Sequence, residues 1–179
     1  MSTEKTVKEK ETSGRHIDVL VIVDAATLLS RYPGVGLSAD TPTSIDGELI
    51  YVMAAGHVEL LGRNDSHLDL IVPVGDDIHV RGNALALSGE HGVLFYDITL
   101  LDTDIVSAFR LDQVHGLTVP IPRADNLLQP DNQSVDDHFW RTQVLAHGTA
   151  ACDLYFMVLD RGCTILGYFR WNLQIGTSR

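Results

Sequence analysis

The residues best suited to chemistry lie together in the second half of the chain. Asp136, Asp137 and His138 are consecutive, and Trp140 follows two positions later. Carboxylate oxygens and imidazole nitrogens are common metal donors, and carboxylates beside an aromatic ring are typical of sugar-binding loops on β-sandwiches. These four residues are therefore our candidate ligand-binding site, with a carbohydrate as one candidate ligand. A solvated loop without any ligand is the alternative, and no motif decides whether a metal is bound.

A second group of polar side chains is expected on a sheet. His67, Asp69, His79 and Arg81 fall in two segments that alternate between apolar and polar residues. Since alternate residues of a strand point to one face, the four side chains could line one face of a sheet together. The simpler interpretation is a solvated outer face.

Nucleophilic catalysis finds little support in the sequence. The serines lack a G-x-S-x-G context, and Cys152 and Cys163 lie in apolar runs that do not favour a thiolate. A disulfide between these two cysteines is geometrically possible, but the absence of a signal peptide argues against it. A hydrolase with two converging carboxylates stays open as an alternative, because the chain has 24 acidic residues and nothing singles out a pair. The sequence thus predicts no enzyme, no catalytic residue and no cofactor.

The elements that must position these residues are mostly strands. Residues 154–159 (LYFMVL) form a short apolar run, residues 160–162 a turn, and residues 164–175 an alternating run with Phe169 and Trp171 on its apolar face. This pattern predicts a C-terminal β-hairpin in which Gly162 takes a positive φ.

The N-terminal third contains the only clear helix signal. Residues 1–15 are predicted to be a disordered tail, followed by a buried strand at residues 17–23. Asp24 can cap a short helix whose apolar face carries Ala25, Leu28, Leu29 and Tyr32. Turn-forming residues at 38–47 predict a loop, which is a second possible location for a site.

Further short strands are predicted in the middle of the chain. They cover residues 48–55, part of 56–64, 67–74, 78–80, 93–101, 105–111 and 117–121, and a long polar loop is predicted at residues 125–137. Many short strands and one short helix near the N-terminus indicate a mainly β protein, an antiparallel β-sandwich of jelly-roll type. Residues 16–179 are expected to form a single domain.

Composition limits the partners of this domain. The chain has 179 residues, a formal net charge of −11 and a pI of about 4.9. Such acidity argues against binding to nucleic acid or to anionic lipid. The polar N-terminus lacks an apolar signal region, and no segment is long enough to be inserted in a membrane. We therefore expect a soluble, cytoplasmic protein.

Several stretches resemble the AidA/PixA family of bacterial inclusion-body proteins. They are IDVLVIVDAATLLSRYP at 17–33, PTSID at 42–46, IYVM at 50–53, VGDDIHVR at 74–81, VLFYDI at 93–98 and GYFRW at 167–171. The chain departs from the family pattern at two places. Asn172-Leu173 stands where Asp-Pro is common after the tryptophan, and GRNDSHL at residues 62–68 stands where the family has a glycine-rich segment similar to GQGTADL.

The resemblance implies a function without catalytic residues. Members are associated with abundant intracellular protein, sometimes in inclusions, with expression regulated by population density, and with host-associated or virulence phenotypes. Our first interpretation is therefore a non-enzymatic protein that self-associates and acts at the host interface, with non-classical export as one route out of the cell. The alternatives are a lectin-like ligand-binding module and the hydrolase considered above.

Overall fold

The computed structural model describes residues 15–54, 67–86, 89–101 and 104–178, and for residues 67–69 only the backbone. The tail predicted at residues 1–15 lies outside these residues except for Arg15, and so does the strand predicted within 56–64. The strands are β1 (His16–Val23), β2 (Thr43–Ile45), β3 (Ile50–Ala54), β4 (His67–Ile71), β5 (Asp77–Ala84), β6 (His91–Leu100), β7 (Arg110–Ile121), β8 (Asp131–Gln143), β9 (Gly148–Asp160) and β10 (Ile165–Ser178). The one α-helix within the described ranges is α1 (Ala25–Arg31), and a 3-10 turn covers Gly47–Leu49.

The described strands form two sheets. The first has the order β3-β1-β5-β8-β7, and the second has the order β2-β10-β9-β6 with β4 also paired to β10. The predicted mainly β sandwich with one short helix is therefore confirmed. The pairing is mixed rather than wholly antiparallel, because β1 runs parallel to β5 and β10 runs parallel to both β2 and β4. Local patterns do not report strand direction, so the parallel pairs had no sequence signal.

The two sheets enclose one hydrophobic core. Val19 and Val21 of β1 belong to the same buried cluster as Phe156 of β9 and Trp171 of β10. The predicted apolar face of the last strand is confirmed, since Phe169 and Trp171 are 0% and 2% exposed. Burial of each of these large side chains contributes about 2–3 kcal/mol, so β10 makes a large contribution to the stability of the second sheet.

Helix α1 follows the predicted pattern. The Asp24 carboxylate accepts a hydrogen bond from the N–H of Thr27 at 3.1 Å, which satisfies one of the free donors of the first turn. Ala25 and Leu28 are buried against the sandwich. The helix ends at Arg31, followed by Tyr32 and then Pro33-Gly34.

The β9–β10 turn differs from the prediction in one respect. The positive φ lies at Cys163, with a value of 61°, and not at Gly162. The carboxylate of Asp160 accepts hydrogen bonds from the N–H groups of Gly162 and Thr164, both at 2.8 Å. These two bonds fix the turn around the side chain of Asp160, so the left-handed position falls one residue later than expected.

Two predicted loops contain strands. Residues 38–47 include β2, which pairs with Phe169–Trp171 of β10, and residues 125–137 include the start of β8. The strand predicted at residues 105–111 is wrong, because only a single bridge from Val106 to Val144 precedes β7 there. Short or solvent-exposed strands lack the apolar alternation that identifies a half-buried strand.

The β7–β8 hairpin extends beyond the first sheet. Strand β5 pairs with β8 only from Val80–Trp140 to Asp77–Gln143. Residues 131–137 of β8 therefore pair with β7 alone among the described strands. We call residues 114–137, which comprise this two-stranded ribbon and its connection, the arm. Most of its residues are exposed.

Candidate functional site

The outer face of the first sheet carries a group of charged and imidazole side chains. Strand β1 points Val19 and Val21 into the core, so His16 and Asp18 point outwards. The parallel register places Asp18 opposite His79 of β5, and Arg81 lies two residues further along β5 on the same face. We call His16, Asp18, His79, Arg81 and Asp137 the polar cluster.

Arg81 joins two carboxylates of the polar cluster. Its Nη1 donates to Oδ1 of Asp18 at 2.5 Å, and its Nε donates to Oδ2 of Asp137 at 3.0 Å. The guanidinium carbon lies 4.8 Å from the centre of the Phe139 ring, within the range of a cation–π contact. Arg81 is thus fixed from three sides, and it fixes Asp18 in turn.

His79 lies between two rings. Its imidazole stacks on His16 at 4.4 Å and on Phe139 at 4.2 Å between ring centres. The side chain is only 14% exposed. This burial is the main cause that lowers the pKa of His79 below its usual value, and the charge of His16 is the second cause. This shift favours the neutral imidazole, which has a nitrogen lone pair available.

The predicted sheet-face group is only half correct. His79 and Arg81 do share the outer face of the first sheet. His67 and Asp69 lie on β4, which pairs with β10 in the second sheet, so they do not belong to the same face. His16 and Asp18 take their place, and only the strand order could have revealed this.

A cleft of about 440 Å³ opens at one end of the same sheet. It is lined by Asp77, Ser107, Ala108, Arg110, Arg141, Thr142 and Gln143. Arg110 of β7 and Arg141 of β8 are directly opposite in the antiparallel register, and like charges in such a pair repel each other.

The two arginines of this cleft differ in their ion pairs. Arg141 lies 3.2 Å from the carboxylate of Asp112 and 3.9 Å from that of Asp77. Arg110 has no acidic partner among the residues that the structure describes. The cleft thus offers one uncompensated guanidinium. Sequence reasoning missed it because 31 positions separate the two arginines, and no short motif connects them.

The four residues predicted to bind a ligand lie on strand β8, not in a loop. Asp136 is on the arm, where its carboxylate accepts from the N–H of Gly116 and contacts His115 Nδ1, both at 2.9 Å. The contact with His115 lowers the pKa of Asp136. Asp137 points to the opposite face and binds Arg81.

The other two predicted residues have different surroundings again. Trp140 donates its Nε1–H to the carbonyl of Phe95 in the second sheet at 3.2 Å, so it connects the two sheets. His138 is half-buried and lies opposite Gln113. The structure therefore does not bring these residues together around one cavity, and a ligand at this position stays a prediction.

One thiol and three carboxyl groups of the described residues have pKa values shifted away from those that catalysis needs. Cys152 is fully buried, and this burial raises the pKa of its thiol to about 12. Cys163 is exposed, and both cysteines are free thiols. Hydrogen bonds lower the pKa values of the carboxyl groups of Asp125, Asp136 and Asp160, whereas a general acid at neutral pH needs a raised one.

The fold and these sites together define a mainly β sandwich protein with an ion-paired sheet face. The family model for PixA, described as an inclusion body protein, matches residues 15–177. The chain therefore belongs to the PixA family of inclusion body proteins, which is not a known enzyme family.

Comparison with solved structures agrees with this assignment. The crystal structure of an inclusion body protein (PixA) from Burkholderia cenocepacia J2315 superposes with a TM-score of 0.75 at 20% identity, covering 94% of this chain and 99% of that chain. At this identity the likeness establishes the fold alone. The solution structure of Amebosin gives a TM-score of only 0.29 at 8% identity, covering 62% and 88% of the two chains. No curated protein matches. No helix of the described residues is long and apolar enough to cross a membrane.

Proposed function

We propose that this protein is a non-enzymatic, self-associating inclusion-body protein whose copies contact each other through the arm. One observation carries this proposal. Leu127 and Leu128 lie in the connection between β7 and β8, at the tip of the arm, and are 74% and 92% exposed. Two adjacent leucines at the end of a projecting ribbon form an apolar contact surface.

The arm also supplies backbone groups for association. An isolated two-stranded ribbon is only marginally stable in water, and β7 forms the edge of the first sheet. An edge strand presents unpaired N–H and C=O groups that can pair with another chain. A second copy of this chain fits both features, since equivalent arms can pack their leucine tips or pair their β7 edges by two-fold symmetry.

The test replaces the two exposed leucines at the end of the arm, Leu127 and Leu128. Each leucine buried in a contact contributes about 1.5–3 kcal/mol at most. We therefore expect the double variant Leu127→Ser/Leu128→Ser to weaken self-association at least roughly tenfold. Sedimentation velocity and light scattering from micromolar to millimolar protein measure this change, and far-UV circular dichroism checks that the fold is intact.

Leu37→Ser is the matched control. Leu37 is 70% exposed and lies outside the arm, so this variant should associate like the unchanged protein. A protein that stays monomeric at millimolar concentration contradicts the proposal. Equal association of the double variant and the control would remove the arm as the contact.

The family membership supports a cellular role for this assembly. We propose that the protein accumulates in the bacterial cytoplasm, in inclusions, as population density rises, and that it acts in host interaction or virulence after non-classical export. Its net charge of −11 favours solubility before assembly. Quantitative immunoblots of cells and medium across a growth curve test this role, and a level per cell that does not change with density contradicts it.

A second candidate function is a ligand-binding module of lectin type. The cleft favours it, because its lining includes Arg110, a guanidinium without an acidic partner among the described residues. An acidic sugar is the ligand class that fits, since guanidinium groups bind carboxylates well. A glycan array with and without calcium tests binding, with Arg110→Ala as the variant. Arg123→Ala is the control, because Arg123 already pairs with Asp125 on the arm.

Binding of acidic glycans that Arg110→Ala loses and Arg123→Ala keeps would support this second function. Absence of glycan binding in both conditions would remove it. The same array tests the predicted ligand-binding residues, which are Asp136, Asp137, His138 and Trp140. The variant is His138→Ala, because His138 is half-buried and its side chain takes part in no ion pair among the described residues.

A further inference from the structure

We propose that His16, Asp18 and His79 form a binding site for a first-row transition-metal cation such as Zn²⁺. Two imidazoles and one carboxylate are a common donor set for such ions. Their donor atoms lie within 4.8 Å of one another on the outer face of the first sheet. The proposal is independent of self-association.

The distances fit a shared ion once His16 turns out of its stack on His79, because two nearly parallel rings cannot both direct an in-plane nitrogen lone pair at one ion. Two ligands at about 2.1 Å from a tetrahedral zinc are about 3.4 Å apart. Asp18 Oδ2, the proposed ligand atom, lies 3.5 Å from His16 Nε2, while the other oxygen of the same carboxylate, Oδ1, lies 3.9 Å from His79 Nδ1. The His16 side chain is 50% exposed and can rotate towards the other two. Three protein ligands leave a fourth position for water.

The surroundings of the site orient its ligands. Stacking against Phe139 fixes the ring plane of His79. The hydrogen bond from Arg81 to Oδ1 of Asp18 leaves the lone pairs of Oδ2 free, which is the arrangement of a monodentate carboxylate held by a neighbouring group.

Arg81 does not prevent cation binding. Its charge opposes a cation at this position, but Asp18 and Asp137 both bind it. Two carboxylates and one guanidinium give the polar cluster a formal charge of −1 apart from its imidazoles. Nitrogen donors and one carboxylate favour Zn²⁺, Co²⁺, Ni²⁺ or Cu²⁺ over Mg²⁺ or Ca²⁺, which prefer all-oxygen sites.

The test is a titration of untagged full-length protein with Zn²⁺ by isothermal calorimetry in a non-chelating buffer. We expect saturable binding of one ion per chain in the micromolar range, and no saturation with Mg²⁺. His16→Ala and His79→Ala should each weaken Zn²⁺ binding by roughly tenfold or more, as loss of one of three ligands predicts. Absorption of the Co²⁺-loaded protein in the visible range gives an independent readout of the coordination.

His115→Ala is the matched control. His115 pairs with Asp136 at 2.9 Å on the arm. This pair belongs to no group of three metal-ligating side chains within the part of the chain that the structure describes, so this variant should bind Zn²⁺ like the unchanged protein. His16 lies at the surface, so His16→Ala should keep its thermal transition. The absence of saturable binding below millimolar Zn²⁺ would overturn the proposal. A loss of less than tenfold in His16→Ala, or an equal loss in His115→Ala, would do the same.

Discussion

Gly82 of β5 offers a direct test of how the two sheets pack. A Cβ atom at this position would lie 2.9 Å from Cδ1 and Cε1 of the Phe95 ring, which belongs to β6 in the second sheet. Phe95 is itself buried and packs against Phe156 at 5.8 Å between ring centres. The variant Gly82→Ala therefore forces the two sheets apart or moves the Phe95 ring.

The expected cost follows from two opposing effects. Overpacking a core costs about 1–3 kcal/mol. Replacing glycine by alanine in a strand regains about 0.5–1 kcal/mol from the unfolded chain. We therefore expect Gly82→Ala to lower the free energy of unfolding by about 1–2 kcal/mol.

Urea unfolding followed by tryptophan fluorescence at low protein concentration measures this change. Gly92→Ala is the control, because a Cβ there meets only Leu159 Cδ1 at 3.9 Å, and it should be neutral or slightly stabilising. Phe95→Leu opens space for the added methyl group. The double variant Gly82→Ala/Phe95→Leu should thus lose at least about 0.5 kcal/mol less than the sum of the two single variants. Equal stabilities of Gly82→Ala and Gly92→Ala would refute the packing described for the sheets.

Three further predictions concern the C-terminal hairpin. Trp171→Ala removes a side chain that is 2% exposed and should destabilise the protein by about 3–5 kcal/mol in urea unfolding; unchanged unfolding would contradict its place in the core. Hydrogen bonds from the N–H of Thr164 and, to a lesser extent, from that of Gly162 lower the pKa of Asp160 in the folded protein. The ionised carboxylate therefore stabilises the fold above the unfolded pKa of about 4, and this stabilisation is lost as the pH falls through the folded pKa. The melting temperature of Asp160→Asn should therefore be lower than that of the unchanged protein at pH 7, and the difference should shrink below pH 4; a constant difference would exclude the ionised carboxylate as its cause. Cys163→Gly relieves a left-handed residue with φ 61° and should raise the free energy of unfolding by up to about 1 kcal/mol, whereas a loss of stability would contradict this account of the turn.

The sequence predicted the elements that have one face on the core. Strand β10 places Phe169 and Trp171 two positions apart, and α1 places Ala25 and Leu28 three positions apart behind a capping Asp24. Such periods report burial directly, so the type and approximate bounds of these elements were readable.

The arm was only partly predictable. Leu117, Val119 and Ile121 fall at alternate positions, and the strand predicted at residues 117–121 is the end of β7. The start of β8 is polar and mostly exposed, so it had no such signal. Strands β7 and β8 pair with each other, and a bulge between Val114 and Leu117 shifts their register. Polar residues with prolines nearby, as at Pro120 and Pro122, are therefore typical of a loop as much as of such a ribbon.

The polar cluster was predictable only in part. His79 and Arg81 lie on one strand, and their alternation placed them on one face. His16 and Asp18 join them because β1 is the parallel neighbour of β5. Such a neighbour is chosen by the whole fold, and no local pattern reports it.

The position of β10 has a consequence for the order of folding. This strand pairs with β2, β4 and β9, and its pairing with β2 joins Thr43 to Phe169. Pairs so distant in sequence must close a large loop before they gain contacts, which slows folding. We therefore expect β2 and β4 to join the second sheet after the β9–β10 hairpin has formed.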